Sequence, residues 1–192
     1  MLIGVVGPSG AGKDTLLDGA RRALVGEASL RFVRRCVTRP AEAGGEAHLP
    51  MSGDAFIAAR DAGAFALWWA AHGLLYGIPR DIEVDIAAGR AAVANLSRAV
   101  LAEAAALYPL RVLEITAPIA LRAARLASRG RETEADVAAR LARDQALPPD
   151  LDVETVVNDA DVATGVARVV AALSRAAADA RRAGTARPAP PG

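Results

Sequence analysis

The feature that most constrains the fold of this chain is a glycine-rich turn between an apolar segment and a helical pattern. Residues 2–6, Leu-Ile-Gly-Val-Val, suit a short buried strand of a parallel sheet. The turn is Gly7-Pro8-Ser9-Gly10-Ala11-Gly12-Lys13, and residues 13–25 then place Leu and Ala on one helical face. Glycines let backbone N–H groups surround a phosphate, and the helix N-terminus adds partial positive charge. This strand, loop and helix together predict a nucleotide phosphate site in an α/β fold.

Lys13 is the only lysine in the sequence, against 22 arginines. An arginine presents a planar fork, whereas a lysine carries a compact charge on a thin stem that can follow a phosphate. We therefore predict phosphoryl chemistry with Lys13 as a catalytic cation. The expected nucleotide-binding set comprises Gly7, Pro8, Ser9, Gly10, Ala11, Gly12, Lys13, Asp14 and Thr15.

One position departs from the usual form of such a loop. A Ser or Thr that holds magnesium normally follows the lysine, but here Asp14 stands there and Thr15 comes next. Asp14 either holds Mg²⁺, directly or through water, or caps the N-terminus of the helix. The sequence leaves both roles open, and Asp14 is the predicted metal ligand.

Composition limits the class of protein. A chain of 192 residues predicts one domain, and a net charge of +1 gives no reason to expect a nucleic-acid partner. The single cysteine, Cys36, excludes an internal disulfide and fits a reducing compartment. We recognise no signal peptide and no apolar run of membrane-spanning length, so we expect a cytoplasmic protein that binds no membrane. The oligomeric state is not predictable from the sequence.

Short apolar segments alternate with helical patterns along the chain. This alternation predicts a parallel sheet covered by helices on both faces. The expected strands are residues 2–6, 30–37, 65–70, 74–76, 91–95, 110–116 and 153–157. The expected helices are residues 13–25, 52–63, 80–88, 100–107, 134–145 and 162–182, with a further helix opened by Pro118. Residues 38–50 are expected to form a loop, and residues 184–192 a disordered tail.

Further motifs follow the loop in a recognisable order. They are Thr38-Arg39-Pro40, Gly45-Glu46, His48, Gly73-Leu74-Leu75-Tyr76-Gly77, Arg129-Gly130-Arg131, Arg140-Leu141 and Asn158-Asp159. Together with the loop they resemble the guanylate kinase family over about residues 2–175. The resemblance implies one P-loop kinase domain over residues 1–183, with an acceptor-binding insertion near 34–90 and an arginine-bearing lid near 123–148. It also implies that Asn158 contacts the adenine of ATP, although an ordinary turn residue is the alternative.

The resemblance implies catalytic arginines in the lid and phosphate-binding residues in the insertion. In a chain so rich in arginine, each lid arginine could equally be a surface residue. The lid candidates are Arg129, Arg131 and Arg140, and Arg143 is a further one. Arg39 and Tyr76 match acceptor-phosphate ligands of the family.

Departures from the family pattern fall where guanylate kinases read the base. Leu67 replaces a base-reading glutamate, Ile78 replaces a small hydroxyl residue, and Glu42 replaces a second phosphate-binding arginine. His48 aligns with a phosphate-binding tyrosine. An isobutyl group cannot accept from guanine N–H groups, and each unpaired donor would cost roughly 1–3 kcal/mol. Base recognition is therefore lost, while a phosphate site remains.

A narrower group has the same departures. The Gly-Lys-Asp loop, a tryptophan segment before Gly-Leu-x-Tyr-Gly, and Asn95-Leu96-Ser97-Arg98 are similar to the ribose 1,5-bisphosphate phosphokinases of phosphonate breakdown. This resemblance implies that ATP, with Mg²⁺, and ribose 1,5-bisphosphate give ADP and 5-phosphoribosyl 1-diphosphate. Its implied acceptor residues are Arg39, His48, Tyr76, Ser97 and Arg98. The alternatives are a guanylate kinase or another nucleoside monophosphate kinase, and a non-catalytic module, which the intact loop disfavours.

Overall fold

The computed structural model of the chain describes residues 1–40, 46–127 and 146–185. Its centre is a five-stranded sheet in which all the strand pairs are parallel. The strands lie in the order β2 (Leu30–Phe32), β7 (Ala91–Asn95), β1 (Leu2–Val6), β8 (Leu110–Thr116) and β9 (Val153–Val157). The middle strand β1 is buried at all five positions, as its apolar sequence predicts.

A second, four-stranded sheet forms the insertion. Its order is β4 (Leu49–Pro50), β3 (Cys36–Val37), β6 (Leu74–Pro79) and β5 (Phe65–Ala71). Strands β5 and β6 form an antiparallel hairpin. Its turn is His72-Gly73, with φ values of 52° and 72°. A positive φ favours glycine, which explains the residue at position 73.

Helices cover the central sheet on both faces. They are α1 (Lys13–Ala23), α3 (Ile82–Ala87), α4 (Leu101–Leu107), α5 (Ile119–Ala127) and α6 (Val162–Thr185), whereas α2 (Gly53–Asp61) packs on the small sheet through Phe56. Alternate residues of β1 point to opposite sides: Ile3 and Val5 pack with the α1 and α6 side, whereas Leu2 and Val6 pack with α4 and the insertion. The predicted fold class, a P-loop type α/β sheet covered on both faces, is confirmed.

Close packing brings α1 against α6. A Cβ added at Gly19 would lie 2.3 Å from Val166 Cγ2, and one added at Gly165 would lie 2.8 Å from Leu16 Cδ2. Small residues therefore let the two helices approach, and α1 is held rigidly below the loop that precedes it.

The predicted strand over residues 30–37 is wrong in one respect, because it is two strands in two different sheets. The Val33 N–H still donates to Val93 O, at 2.9 Å, and the chain then leaves the central sheet. Arg34 and Arg35 interrupt the apolar run at that point. Other differences are small. Strand β6 extends to Pro79, three residues beyond the predicted strand, and α3 begins at Ile82 instead of residue 80. Strand β4 lies within the predicted loop 38–50, and α6 ends at Thr185, two residues into the predicted tail.

Ion pairs join the root of the insertion to the central sheet. The Asp85 carboxylate, on α3, accepts from Arg31 Nη1 at 2.6 Å and from Arg90 Nε at 2.8 Å. Burial would raise the pKa of Asp85, but hydrogen bonds and charge from the two arginines outweigh it and hold that pKa below its usual value. These contacts fix where the small sheet stands relative to the phosphate loop.

Candidate active site

The glycine-rich loop connects β1 to α1 and needs its glycines for steric reasons. A Cβ added at Gly7 would lie 2.1 Å from Ile115 O, and one at Gly10 would lie 2.7 Å from Arg122 O. Gly10 and Gly12 also have φ values of 80° and 82°, which L side chains rarely adopt. The loop therefore accepts no larger residue at these three positions without moving its neighbours.

Every residue from Gly7 to Thr15 lines one concave pocket at the N-terminus of α1. The first helical residue is Lys13, whose side chain is 19% exposed and whose Nζ lies 3.1 Å from Asp14 Oδ1. A cation and the positive end of a helix thus face the same pocket. The pocket suits the phosphates of a nucleotide, and it brings together the nine residues predicted from the sequence.

The two roles considered for Asp14 can be compared with its geometry. The N-cap of α1 is Gly12 and has no side-chain cap hydrogen bond, so Asp14 does not cap the helix by hydrogen bonding. Its side chain is 48% exposed beside Lys13, and it also lines a narrow cleft with Asp18, Glu46 and Asn95. The described residues contain no group of three or more His, Cys, Asp or Glu side chains arranged to hold a metal ion. A single exposed carboxylate beside a phosphate pocket still fits Mg²⁺, which takes few protein ligands when substrate phosphates and water supply the rest.

Asn158 follows β9 and is buried, with 5% of its surface exposed. Its side-chain Nδ2 donates to Ala11 O at 2.8 Å. The side chain thus holds the back of the phosphate loop. The predicted contact of Asn158 with adenine stays a prediction.

Arg39 and His48, both predicted to bind the acceptor, contact each other. His48 Nε2 lies 3.0 Å from Arg39 O, and Nδ1 lies 3.0 Å from Glu46 O and 3.4 Å from Arg39 Nη2. With 9% of its surface exposed, His48 is enclosed by these groups. His48 is placed to hold Arg39, and its predicted contact with the substrate stays a prediction. Arg39 itself lines a shallow pocket with Thr38, Pro40, Pro50, Met51 and Ser52.

A network beside this pair was not predicted from the sequence. Glu46 Oε2 accepts from Arg35 Nη2 at 2.8 Å and from the Asn95 side-chain amide. The Arg35 guanidinium also lies 5.1 Å from the centre of the Tyr76 ring, which stacks on Trp69 with ring centroids 5.4 Å apart. Glu46 and Asn95 occur in motifs noted above, but nothing in their spacing indicated that they meet.

Ser97 and Arg98 lie just beyond β7. The Ser97 hydroxyl accepts from Ala99 N at 3.3 Å and so starts a short 3₁₀ helix, Arg98–Val100. Arg98 Nη2 forms an ion pair with Glu114 at 2.9 Å, across the end of the sheet. Both residues stay predictions as substrate contacts.

The positions matching the base-reading residues of guanylate kinases are part of the core. Leu67 is 1% exposed and Ile78 is fully buried, and both pack in the cluster that contains Trp69 and Leu2. The predicted lid arginines Arg129, Arg131 and Arg140 lie outside the described residues, as does Glu42.

The phosphate loop and the parallel sheet define a P-loop nucleotide-binding fold, and solved structures of kinases share it. Guanylate kinase from Anaplasma phagocytophilum superposes with a TM-score of 0.65 at 15% identity, covering 91% of this chain and 85% of that one. A sugar kinase from Janibacter sp. has a TM-score of 0.51 at 19% identity, covering 92% and 96%. At these identities the likeness shows the fold alone.

A scan against models of known families gives no match, but individual relatives are much closer in sequence. The chain is 44% identical over 175 residues to ribose 1,5-bisphosphate phosphokinase PhnN of Rhizobium etli, covering 90% of this chain and 89% of that protein. The Acidiphilium cryptum protein of the same name is 48% identical over 166 residues, covering 86% and 88%. The Brucella melitensis one is 46% identical over 162 residues, covering 83% and 84%.

The chain therefore belongs to the ribose 1,5-bisphosphate phosphokinase family, which confirms the group predicted from the motifs. Membership of a P-loop kinase family implies that the chain uses a nucleotide. Among the described residues, no helix has both the length and the apolar character needed to cross a membrane.

Proposed function

We propose that this protein transfers the γ-phosphoryl group of ATP to the 1-phosphate of ribose 1,5-bisphosphate, giving 5-phosphoribosyl 1-diphosphate and ADP. One observation carries the choice of acceptor: the phosphate loop is intact while Leu67 and Ile78, at the base-reading positions, are apolar and buried. An acceptor with two phosphates and no base agrees with that combination. The relatives named for this reaction support it.

The acceptor is itself a phosphate, and this simplifies the chemistry. Its second pKa is ~6, so at neutral pH it is already ionised and needs no general base. An oxygen of the 1-phosphate attacks the γ-phosphorus in line, and the bond from that phosphorus to the β,γ-bridging oxygen breaks, so ADP leaves. The protein therefore has to align the reactants and neutralise charge.

We assign these tasks to residues on both sides of the cleft. Backbone N–H groups of the loop and Lys13 hold the phosphates of ATP. Mg²⁺, held with the help of Asp14, supplies positive charge to the phosphate oxygens when it is bound. Arg39, supported by His48, binds an acceptor phosphate together with Tyr76, and Ser97 and Arg98 reach the other phosphate. The lid arginines supply further positive charge to the transferring phosphoryl group; they are Arg129, Arg131 and Arg140.

The proposal is tested by a coupled assay of ADP release with ribose 1,5-bisphosphate or GMP as acceptor, with the product identified by ³¹P NMR. We expect ribose 1,5-bisphosphate to give a diphosphate signal and to exceed GMP in kcat/KM by roughly 10⁴-fold, because GMP lacks the second phosphate and leaves the polar groups that would bind it unpaired. Lys13→Ala, purified in parallel, controls for contaminating kinases. Efficient phosphorylation of GMP, with no diphosphate formed from ribose 1,5-bisphosphate, would contradict the proposal and indicate a nucleoside monophosphate kinase.

A further inference from the structure

In the phosphate loop, the five carbonyl groups from Pro8 to Gly12 all accept hydrogen bonds from protein groups. Pro8 O accepts from Ala11 N at 3.2 Å, and Gly12 O accepts from Leu16 N at 3.1 Å. The three carbonyls between them receive side chains from distant parts of the sequence. No carbonyl from Pro8 to Gly12 is left to face a phosphate.

Two arginines of α5 supply part of this support. Arg122 is 3% exposed, and its Nε donates to Ser9 O at 3.1 Å. Arg125 Nη1 lies 3.4 Å from Ala11 O and 3.5 Å from Gly10 O. The backbone of α5 itself touches the loop, since a Cβ at Gly10 would lie 2.7 Å from Arg122 O.

Asn158 completes the support from the end of β9. Its Nδ2 donates to Ala11 O at 2.8 Å, and its own carbonyl accepts from Arg125 Nη2 at 3.3 Å. The Asn158 N–H donates to Thr116 O at 2.7 Å, so the central sheet fixes the residue. Arg125 and Asn158 therefore meet at Ala11 O and contact each other, and Arg122 supports the nearby Ser9 O.

We propose that Arg122, Arg125 and Asn158 are positioning residues that fix the direction of the loop's peptide groups. A peptide that rotates exchanges its N–H for its C=O, and a carbonyl facing a phosphate repels it. Donors placed behind the loop favour the rotation in which carbonyls point back and N–H groups point into the pocket. Two of these donors are cations, which strengthens their hydrogen bonds to the carbonyls. The proposal rests on the proposed function, because it concerns the same nucleotide site.

This role differs from a contact with the nucleotide base. A base contact of Asn158 would affect ATP alone, whereas support of the loop affects any polyphosphate. Inorganic tripolyphosphate, which has no base, separates the two. Binding of ATP and of tripolyphosphate can be measured by calorimetry without any acceptor, so the result does not depend on the identity of the sugar.

The variants are Arg122→Leu and Asn158→Asp, with Arg122→Lys as the conservative partner. Asn158→Asp keeps the shape but sets a carboxylate oxygen against Ala11 O. We expect Kd to rise about tenfold or more for both ligands in Arg122→Leu and Asn158→Asp, the size expected for losing a hydrogen bond of this kind. Arg122→Lys should recover part of the affinity. In steady state, the KM for ATP should rise while the KM for the acceptor stays within about twofold.

Arg111→Leu is the matched control. Arg111 is also paired and largely buried, with Asp152 and Asp179 at 2.8 Å and 2.7 Å, but it lies opposite Ile3, far from the carboxyl end of β1. Arg111→Leu should lower the melting temperature and leave the affinities for ATP and tripolyphosphate unchanged. If Arg122→Leu does not fold, Asn158→Asp and Arg122→Lys decide the question.

Two results would overturn the proposal: a loss of affinity for ATP without a loss for tripolyphosphate, or unchanged affinity for both in the folded variants. Failure of the wild-type protein to bind either ligand would instead contradict the proposed function.

Discussion

The nine residues that line the phosphate pocket are consecutive, six between β1 and α1 and three at the start of α1, whereas the groups of the proposed acceptor side come from separated segments. Arg35 and Arg39 flank β3, Glu46 and His48 precede β4, Tyr76 lies on β6 and Asn95 ends β7. In the loop, backbone N–H groups are the expected phosphate ligands, and glycine is required because a Cβ added at Gly7, Gly10 or Gly12 would lie only 2.1–2.7 Å from a neighbouring atom. On the proposed acceptor side, the candidate phosphate ligands are side chains, and other side chains hold them in place. A site made of backbone is thus encoded locally, while a site made of side chains depends on how the insertion folds.

The largest expected effect comes from a change in the phosphate loop. Lys13→Ala should lower kcat by 10²–10³-fold or more, the range roughly typical of removing one donor to the transition state. The fold should survive, because Nζ contacts Asp14 at the surface of the pocket and not the core. Steady-state kinetics and a thermal melt measure the two outcomes.

Lys13→Arg sharpens this test, since it keeps the charge but replaces the thin stem with a planar fork. We expect it to be nearly as impaired as the alanine variant. A rate above about a tenth of wild type for Lys13→Ala would exclude a central role for this lysine.

Arg39→Ala should produce the next largest effect and should act on the other substrate. Losing a charge-assisted hydrogen bond to a phosphate should raise the acceptor KM by roughly 10- to 100-fold. The KM for ATP should change less than about twofold. Arg34→Ala, an exposed arginine of the same segment, is the control and should change neither. An equal rise in both KM values would show that Arg39 is not specific to the acceptor.

His48→Ala should act in the same direction but more weakly, because His48 works through Arg39. Removing the ring frees Arg39 O and the guanidinium from contacts at 3.0 Å and 3.4 Å, so Arg39 becomes mobile. We expect a rise of roughly fivefold in the acceptor KM, about the value of one ordinary hydrogen bond. His72→Ala, in the exposed β5–β6 turn, is the matched control.

The link between the two residues can be tested directly. In the double variant with Arg39→Ala, the loss of His48 should add almost nothing, since residues that act together are not additive. A full additional loss would mean that His48 contacts the acceptor itself.

The same contrast explains what the sequence could predict. The loop, the parallel sheet and the family follow from local patterns that remain together in the chain. The split of residues 30–37 between two sheets could not be predicted in this way, because an apolar run predicts a strand but not the strand with which it pairs. Asn158 lies 147 positions from Ala11, and Glu46 lies 49 from Asn95, so only the fold brings them together. The protein groups that enclose the His48 and Asn158 side chains were likewise not predictable from the sequence.

Asp14→Asn should give the smallest effect. Asp14 lies where the phosphate loop meets the proposed acceptor side. Asp14 belongs to the loop but also lines the cleft that contains Glu46 and Asn95. If its carboxylate helps hold Mg²⁺, the amide should raise the Mg²⁺ concentration for half-maximal rate by roughly threefold, since substrate phosphates and water remain as ligands. If Asp14 only interacts with the dipole of α1, stability should fall by about 0.3–1 kcal/mol and the Mg²⁺ dependence should not change. Asp18→Asn, one turn later on α1 and in the same cleft, removes an equal charge. Mg²⁺ titrations that shift equally in both variants would assign the effect to the field of the cleft, whereas a shift in Asp14→Asn alone would assign it to metal binding.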